Sequence, residues 1–224
     1  MIQRRGFLRA ATAGMIAGLS GCAPLSSGEE ETINQFTYDL NIEPARLITD
    51  VTLSVPIPVL NGEPALTGLI DEAVTRLPSN SSGGIVETER GPKLELRAEE
   101  IDPKEGPYYL STSVAMDREI DTREALGNEP TLGSHPDIER VDCDFPYPDR
   151  WEGRLRCYRY ESDLFGEYAE NPPTLISVGF FGENSWWNGG WSGNEYFDRV
   201  SGTVEGDGWV SASASFREGS GNYR

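Results

Sequence analysis

Apolar residues fall on every second position through much of this chain, and that period limits what it can fold into. Between residues 47 and 59, Leu47, Val51, Leu53, Val55, Ile57 and Val59 share one parity, while Thr52, Ser54, Pro56 and Pro58 share the other. Side chains on a strand alternate between its faces, so the stretch reads as a strand with one face buried. Its two prolines cannot donate to a ladder, which puts that end at a sheet edge. The same reading gives strands over 85–89, 93–101 and 108–116, and a hairpin with arms at 139–145 and 154–161. Residues 174–181 read as a central strand, because both parities are apolar or small. The chain then finishes with strands over 199–205 and 209–217, joined by Gly206-Asp207-Gly208, a hairpin-turn signal. Val210, Ala212, Ala214 and Phe216 face inward in the last of these.

One stretch has helical spacing instead. Leu66, Leu69, Ile70, Ala73 and Leu77 fall on one face, with Pro64 at the first turn and Pro78 closing the helix. Residues 79–84 read as a flexible turn, and Asn80-Ser81-Ser82 within it is a glycosylation acceptor pattern. Between 117 and 137 the alternation breaks into a long loop, where Thr122 could cap a single turn through Leu126 that Gly127 ends. About ten short strands and one packed amphipathic helix predict a mainly β chain, built as a β-sandwich or open barrel.

The first 35 residues belong to something else. Arg4 and Arg5 precede Phe7 and Leu8, and residues 10–19 form an apolar stretch of about half the length a membrane-spanning helix needs. Leu19-Ser20-Gly21-Cys22 follows: an apolar residue, two small ones and a cysteine. The two patterns resemble a twin-arginine export signal and a lipobox in series. The expected division is 1–21 signal peptide, 22–35 lipidated Cys22 with a flexible tether rich in Ser, Gly, Pro and Glu, and 36–224 one globular domain.

Charge supports the same address. Removing the first 21 residues takes away Arg4, Arg5 and Arg9 and no acid, leaving 16 basic against 37 acidic side chains, a net −21. Lys93 and Lys104 are the only lysines. Acids spread along the whole chain hydrate a surface that salt would otherwise screen. In signal and composition the chain resembles twin-arginine-exported lipoproteins of salt-loving archaea. That resemblance implies export of an already folded domain by a translocase and an anchor at the extracellular face of the cell membrane, through lipid on Cys22. Nucleic acid is excluded as a partner, because phosphate contacts need a basic patch.

Cys143 and Cys157 remain after Cys22. A hairpin pivoting near Arg150 would set them opposite each other, and an oxidising compartment favours a disulfide between them. Export in the folded state means that this bridge need not form before folding.

Candidate chemistry is sparse. The lone His135 leaves a single base for any Ser/His/Asp triad, and no Gly-x-Ser-x-Gly elbow accompanies it; Ser192 in Gly190-Trp191-Ser192-Gly193 is the nearest imitation. Asp142, Asp144 and Asp149 could offer oxygen ligands to Ca²⁺, without the spacing of a calcium loop. Phosphate-loop, dinucleotide and zinc-ribbon patterns are absent, and no cofactor is expected. The stretch 183–197 stands apart: a glycine-rich loop carrying Trp186, Trp187, Asn188, Trp191 and Tyr196. Flat rings beside amides suit sugar stacking, and equally suit protein recognition. Three readings follow. The first is a non-catalytic structural or interaction module of the cell envelope. The second is a glycan- or solute-binding lipoprotein using the Trp-rich loop. The third is a secreted hydrolase with a diffuse carboxylate site.

Overall fold

Alternation in the residues becomes alternation in burial. In β11 (Thr174–Trp187) Thr174, Ile176, Val178, Phe180, Gly182, Asn184 and Trp186 all face inward and are buried. The computed structural model describes residues 32–77, 79–133, 137–143, 155–187 and 190–223. The residues of the expected export signal, Cys22, Asn188, His135, Asp144 and Asp149 lie outside them.

The described chain is mainly β. Ten strands make one curled antiparallel sheet that forms a half-barrel, in keeping with the open-barrel expectation. Nine follow the order β5 (Ser81–Thr88), β6 (Gly91–Ile101), β2 (Ile48–Pro56), β10 (Arg156–Glu167), β13 (Asp207–Gly221), β12 (Trp191–Val204), β11, β1 (Thr32–Pro44) and β7 (Tyr108–Ala115), and β9 (Glu139–Val141) pairs with β10. A small second sheet joins β4 (Glu63–Pro64), β3 (Pro58–Leu60) and β8 (Thr131–Leu132). The helix α1 (Thr67–Thr75) packs against both edge strands, β5 and β7, and so spans the opening of the half-barrel. Leu69, Ile70 and Ala73 are its buried stripe, and the Thr112 hydroxyl of β7 donates to the Leu69 carbonyl at 3.3 Å. One helix packed on both edge strands shields edges that would otherwise template aggregation.

The core fills the concave side. Phe36, Tyr38, Leu40 and Ile42 of β1 meet Val51, Leu53 and Val55 of β2, and all seven are buried. Phe36, Phe180 and Tyr196 form a ring cluster with centroids 5.5 to 6.3 Å apart. The Tyr38 hydroxyl crosses the interior to donate to the Pro56 carbonyl at 3.0 Å. Burial pushes that phenol far above its ordinary pKa, so it stays a donor.

Several expectations are corrected. Pro64 does not open the helix: it pairs with Val59 in the small sheet, and α1 starts three residues later, after Leu66 in the left-handed region at φ 55°. Leu47 is exposed and Ile48 buried, because Asp50 takes a positive φ of 54° and shifts the parity by one. The strand bearing Pro56 is not at an edge: β2 lies between β6 and β10, and Pro56 sits beyond the part that β10 pairs. Residues 81–84 are not a turn but the start of β5. Ordered structure also begins earlier than residue 36, since Thr32 already pairs with Trp186.

Cys143 and Cys157 form a disulfide with Cα atoms 5.3 Å apart. The arms are offset from a symmetric hairpin: Cys157 pairs in the ladder with Val141, two residues before Cys143. The bridge closes a 14-residue separation, so Cys157→Ser is expected to cost about 3 kcal/mol by the chain-entropy argument. Guanidinium midpoints of oxidised wild type and variant, at one ionic strength, measure it. An unchanged midpoint would assign the bridge no share of stability.

Candidate functional site

The long break in the alternation is a strap. Residues 117–130 leave β7 and cross the concave face of β11, β12 and β13 before entering β8. Polar side chains on the inward parity of those strands hold it. Asn184 stands in for a strand neighbour: it accepts from the Ile120 N–H and donates to the Ile120 carbonyl, both at 2.8 Å. Asn184 also donates to Asn194 Oδ1, which accepts the Thr122 hydroxyl as well. Tyr196 donates to the Pro130 carbonyl at 2.6 Å. Asp198 accepts the Leu132 N–H at 2.7 Å and the Tyr160 hydroxyl at 2.5 Å. Glu218 accepts the Leu126 N–H at 3.0 Å and the Tyr158 hydroxyl at 3.1 Å, and pairs with Arg156 at 2.9 Å.

Within the strap, Glu129 receives both arms of the Arg118 fork at 2.6 and 2.5 Å and the Asp121 N–H at 2.8 Å. Those hydrogen bonds raise the Arg118 guanidinium further, so it stays charged. Thr122 does not cap a helical turn. Asp121 caps the bend instead, accepting the N–H groups of Arg123 and Glu124, while the Thr122 hydroxyl points into the sheet. Gly127 does take a positive φ, 86°. Burial, then the Asp198 carboxylate, hold the Tyr160 phenol well above its ordinary range; burial, then Glu129, do the same for Tyr196.

Where the strap begins, it leaves a cavity of about 550 Å³ at the hairpin end of the half-barrel. Thr32 and Asn34 of β1, Asn184 and Trp186 of β11, Asn194 of β12, Tyr223, and Glu119 to Arg123 of the strap line it. Thr122 has one hydroxyl proton and gives it to Asn194, so across their 3.2 Å separation Tyr223 is the donor. Arg123 lies over the Tyr223 ring at 4.1 Å. The buried Oδ1 of Asn34 has no hydrogen-bond partner. The wall is rich in amides and hydroxyls, with one indole and one phenol.

The Trp-rich stretch is therefore not a loop. Trp187 and Trp191 are the last pair of the β11–β12 ladder. The residues before Trp187 pair on both sides, with β1 and β12. The expected ligand residues divide. Trp186 is buried and lines the cavity. Trp187 and Trp191 project outward at 50 % and 56 % exposure, their rings 5.8 Å apart and edge to face. Tyr196 is fully buried in the ring cluster and is a fastener of the strap, out of reach of any surface ligand. Ser192 faces Trp186 in the ladder.

No family model, curated protein or solved structure matches the chain. The site therefore rests on its own geometry.

Asn80 is exposed at the entry to β5 and donates to the Glu100 carbonyl at 3.3 Å. Asp142 is exposed, and among the described residues no three metal-ligating side chains cluster. The strap fasteners were missed from sequence, yet they carry a signal. Asn184, Asn194, Asp198 and Glu218 continue the inward parity of their strands, where a polar residue needs a buried partner.

Proposed function

We propose that the chain is a lipid-anchored, non-catalytic module at the extracellular face of the cell membrane that binds a small polar ligand of sugar type. The cavity at the hairpin end is the observation that carries the ligand. An indole beside three asparagines, a phenol and two threonines matches the alternating apolar faces and hydroxyl rims of a sugar ring. Asn184 and Asn194 are tied to the strap, which leaves Asn34 as the asparagine of the cavity wall that the strap does not engage.

The anchor rests on residues 4–22. Cys22→Ser is expected to move the protein from the membrane fraction to the medium; a mutant that stays with membranes would end the lipoprotein reading. For the ligand, neutral mono- and oligosaccharides are titrated while tryptophan emission is followed. Asn34→Leu is expected to weaken a binding sugar about tenfold, through loss of one polar side chain from the cavity wall. A broad sugar panel without any response returns the chain to the structural-module reading.

A hydrolytic reading draws on one feature: Glu119 and Asp121 both border the cavity beside Trp186. Asp121, however, already accepts two backbone N–H groups. Sugar cleavage that Glu119→Gln abolishes would promote that reading over simple binding.

A further inference from the structure

We propose that the exposed rings of Trp187 and Trp191 form a second membrane contact, which lies in the lipid headgroup region beside the anchor. The proposal rests on the lipid-anchor reading above.

Two independent observations meet at this tip. The first is where the chain enters the domain. Thr32 pairs with Trp186, at the same end of the sheet as the tip and one residue from it. Cys22 precedes Thr32 by ten residues. Ten residues span at most about 35 Å fully extended. An anchor at Cys22 therefore keeps this end of the sheet close to the bilayer.

The second observation is chemical. A quarter of the chain is charged, yet residues 184–194 carry no charged side chain and hold three of the five tryptophans. Two of these rings stand outward at half exposure. Such rings, with apolar bodies and an N–H at one edge, settle at the boundary between headgroups and acyl chains. An acidic surface is repelled by an anionic membrane, and the uncharged tip is the part free of that penalty. One lipid chain alone gives marginal binding, and stable attachment takes a second signal. The tether supplies a high effective concentration, so a weak tip contact suffices to orient the domain.

Trp209 provides an internal contrast. It lies at the opposite end of the long strands, packed on Phe165 at 5.2 Å with Arg90 over its ring.

The test uses the full lipidated chain, reconstituted in phosphatidylcholine vesicles with or without brominated acyl chains. Bromine quenches indoles that reach it. The expected result is loss of up to about two fifths of the tryptophan emission, the share of two rings in five. In Trp187→Ser/Trp191→Ser that quenching is expected to disappear while the protein stays in the vesicle fraction. An unfolding midpoint equal to wild type would show that the double variant folds. Equal quenching in wild type and double variant overturns the proposal. So does unquenched emission from vesicle-bound wild type, or a response of this pair to oligosaccharide in place of lipid. Intact mass reads the anchor separately: a chain without lipid that leaves the vesicles overturns the lipoprotein reading and this proposal with it, whereas a lipidated, bound and unquenched chain overturns the tip contact alone.

Discussion

Asp198→Ala is expected to lower the stability of the domain by about 4 kcal/mol, because it strands two buried donors at about 1–3 kcal/mol each and removes a charge-assisted acceptor. Asp198 is fully buried. Its two oxygens divide their work: Oδ2 takes the Leu132 N–H of the small sheet, and Oδ1 takes the Tyr160 hydroxyl of β10. One side chain on β12 thus ties the end of the strap to the barrel wall. Asp198→Asn does not restore the site, since its amide would turn a donor toward a donor. Tyr160→Phe removes one of the donors, so Asp198→Ala/Tyr160→Phe should cost clearly less than the sum of the single changes. Guanidinium unfolding at fixed salt measures all of these. A loss below about 1 kcal/mol for Asp198→Ala would mean that water takes over both donors, and the strap would then have other fasteners.

Gly182→Val is expected to cost about 4 kcal/mol or more, above the usual 1–3 for overpacking, because three core groups are struck at once. A Cβ at this position would stand 2.5 Å from Tyr196 Cε1, 2.8 Å from Phe36 Cε1 and 3.1 Å from Ile120 Cγ2. Two of these are rings of the central aromatic cluster, and the third is the strap residue that Asn184 holds. Relief by moving Tyr196 would break its bond to the Pro130 carbonyl. Gly182→Ala tests the same geometry with less volume and should lose less. Wild-type stability in Gly182→Val would show that the cluster can open, and with it the path of the strap.

The strands were legible because burial on one face of a sheet writes itself into the sequence at period two. That signal located β2, β6, β7 and β13 to within a few residues. It failed where a single backbone angle reset the phase, as at Asp50, and where composition outweighed period, as at Trp186 and Trp187. Asparagine, glycine and serine around those tryptophans argued for a loop, yet pairing with β1 and β12 holds the same residues extended. The helix was found by its apolar stripe, but Pro64 misled its start, because a proline that fits a helical first turn fits a strand end equally well. The disulfide was legible from two turn-flanked cysteines. The strap was not. Its conformation is held by Asn184, Asp198 and Glu218, 64 to 92 residues further along the chain, and a local window contains none of those partners. The cavity is illegible for the same reason, since its walls come from both ends of the chain.

The place of β1 in the sheet has a consequence for the order of assembly. β1 leaves the ribosome first of the described strands, but Gln35 pairs with Ala115 on one side and Glu183 on the other. Its neighbours arrive 80 and 148 residues later. Loops of that length close at an entropic cost before any contact repays it, so folding should be slow for a domain of this size. The first strand made is among the last to be completed. Under the proposed export route, the targeting signal sits one short tether upstream of that strand. A nascent or truncated chain ending before residue 187 would present the same signal beside an unfinished edge, and an export machinery that rejects unfolded cargo could tell the two apart at that one place.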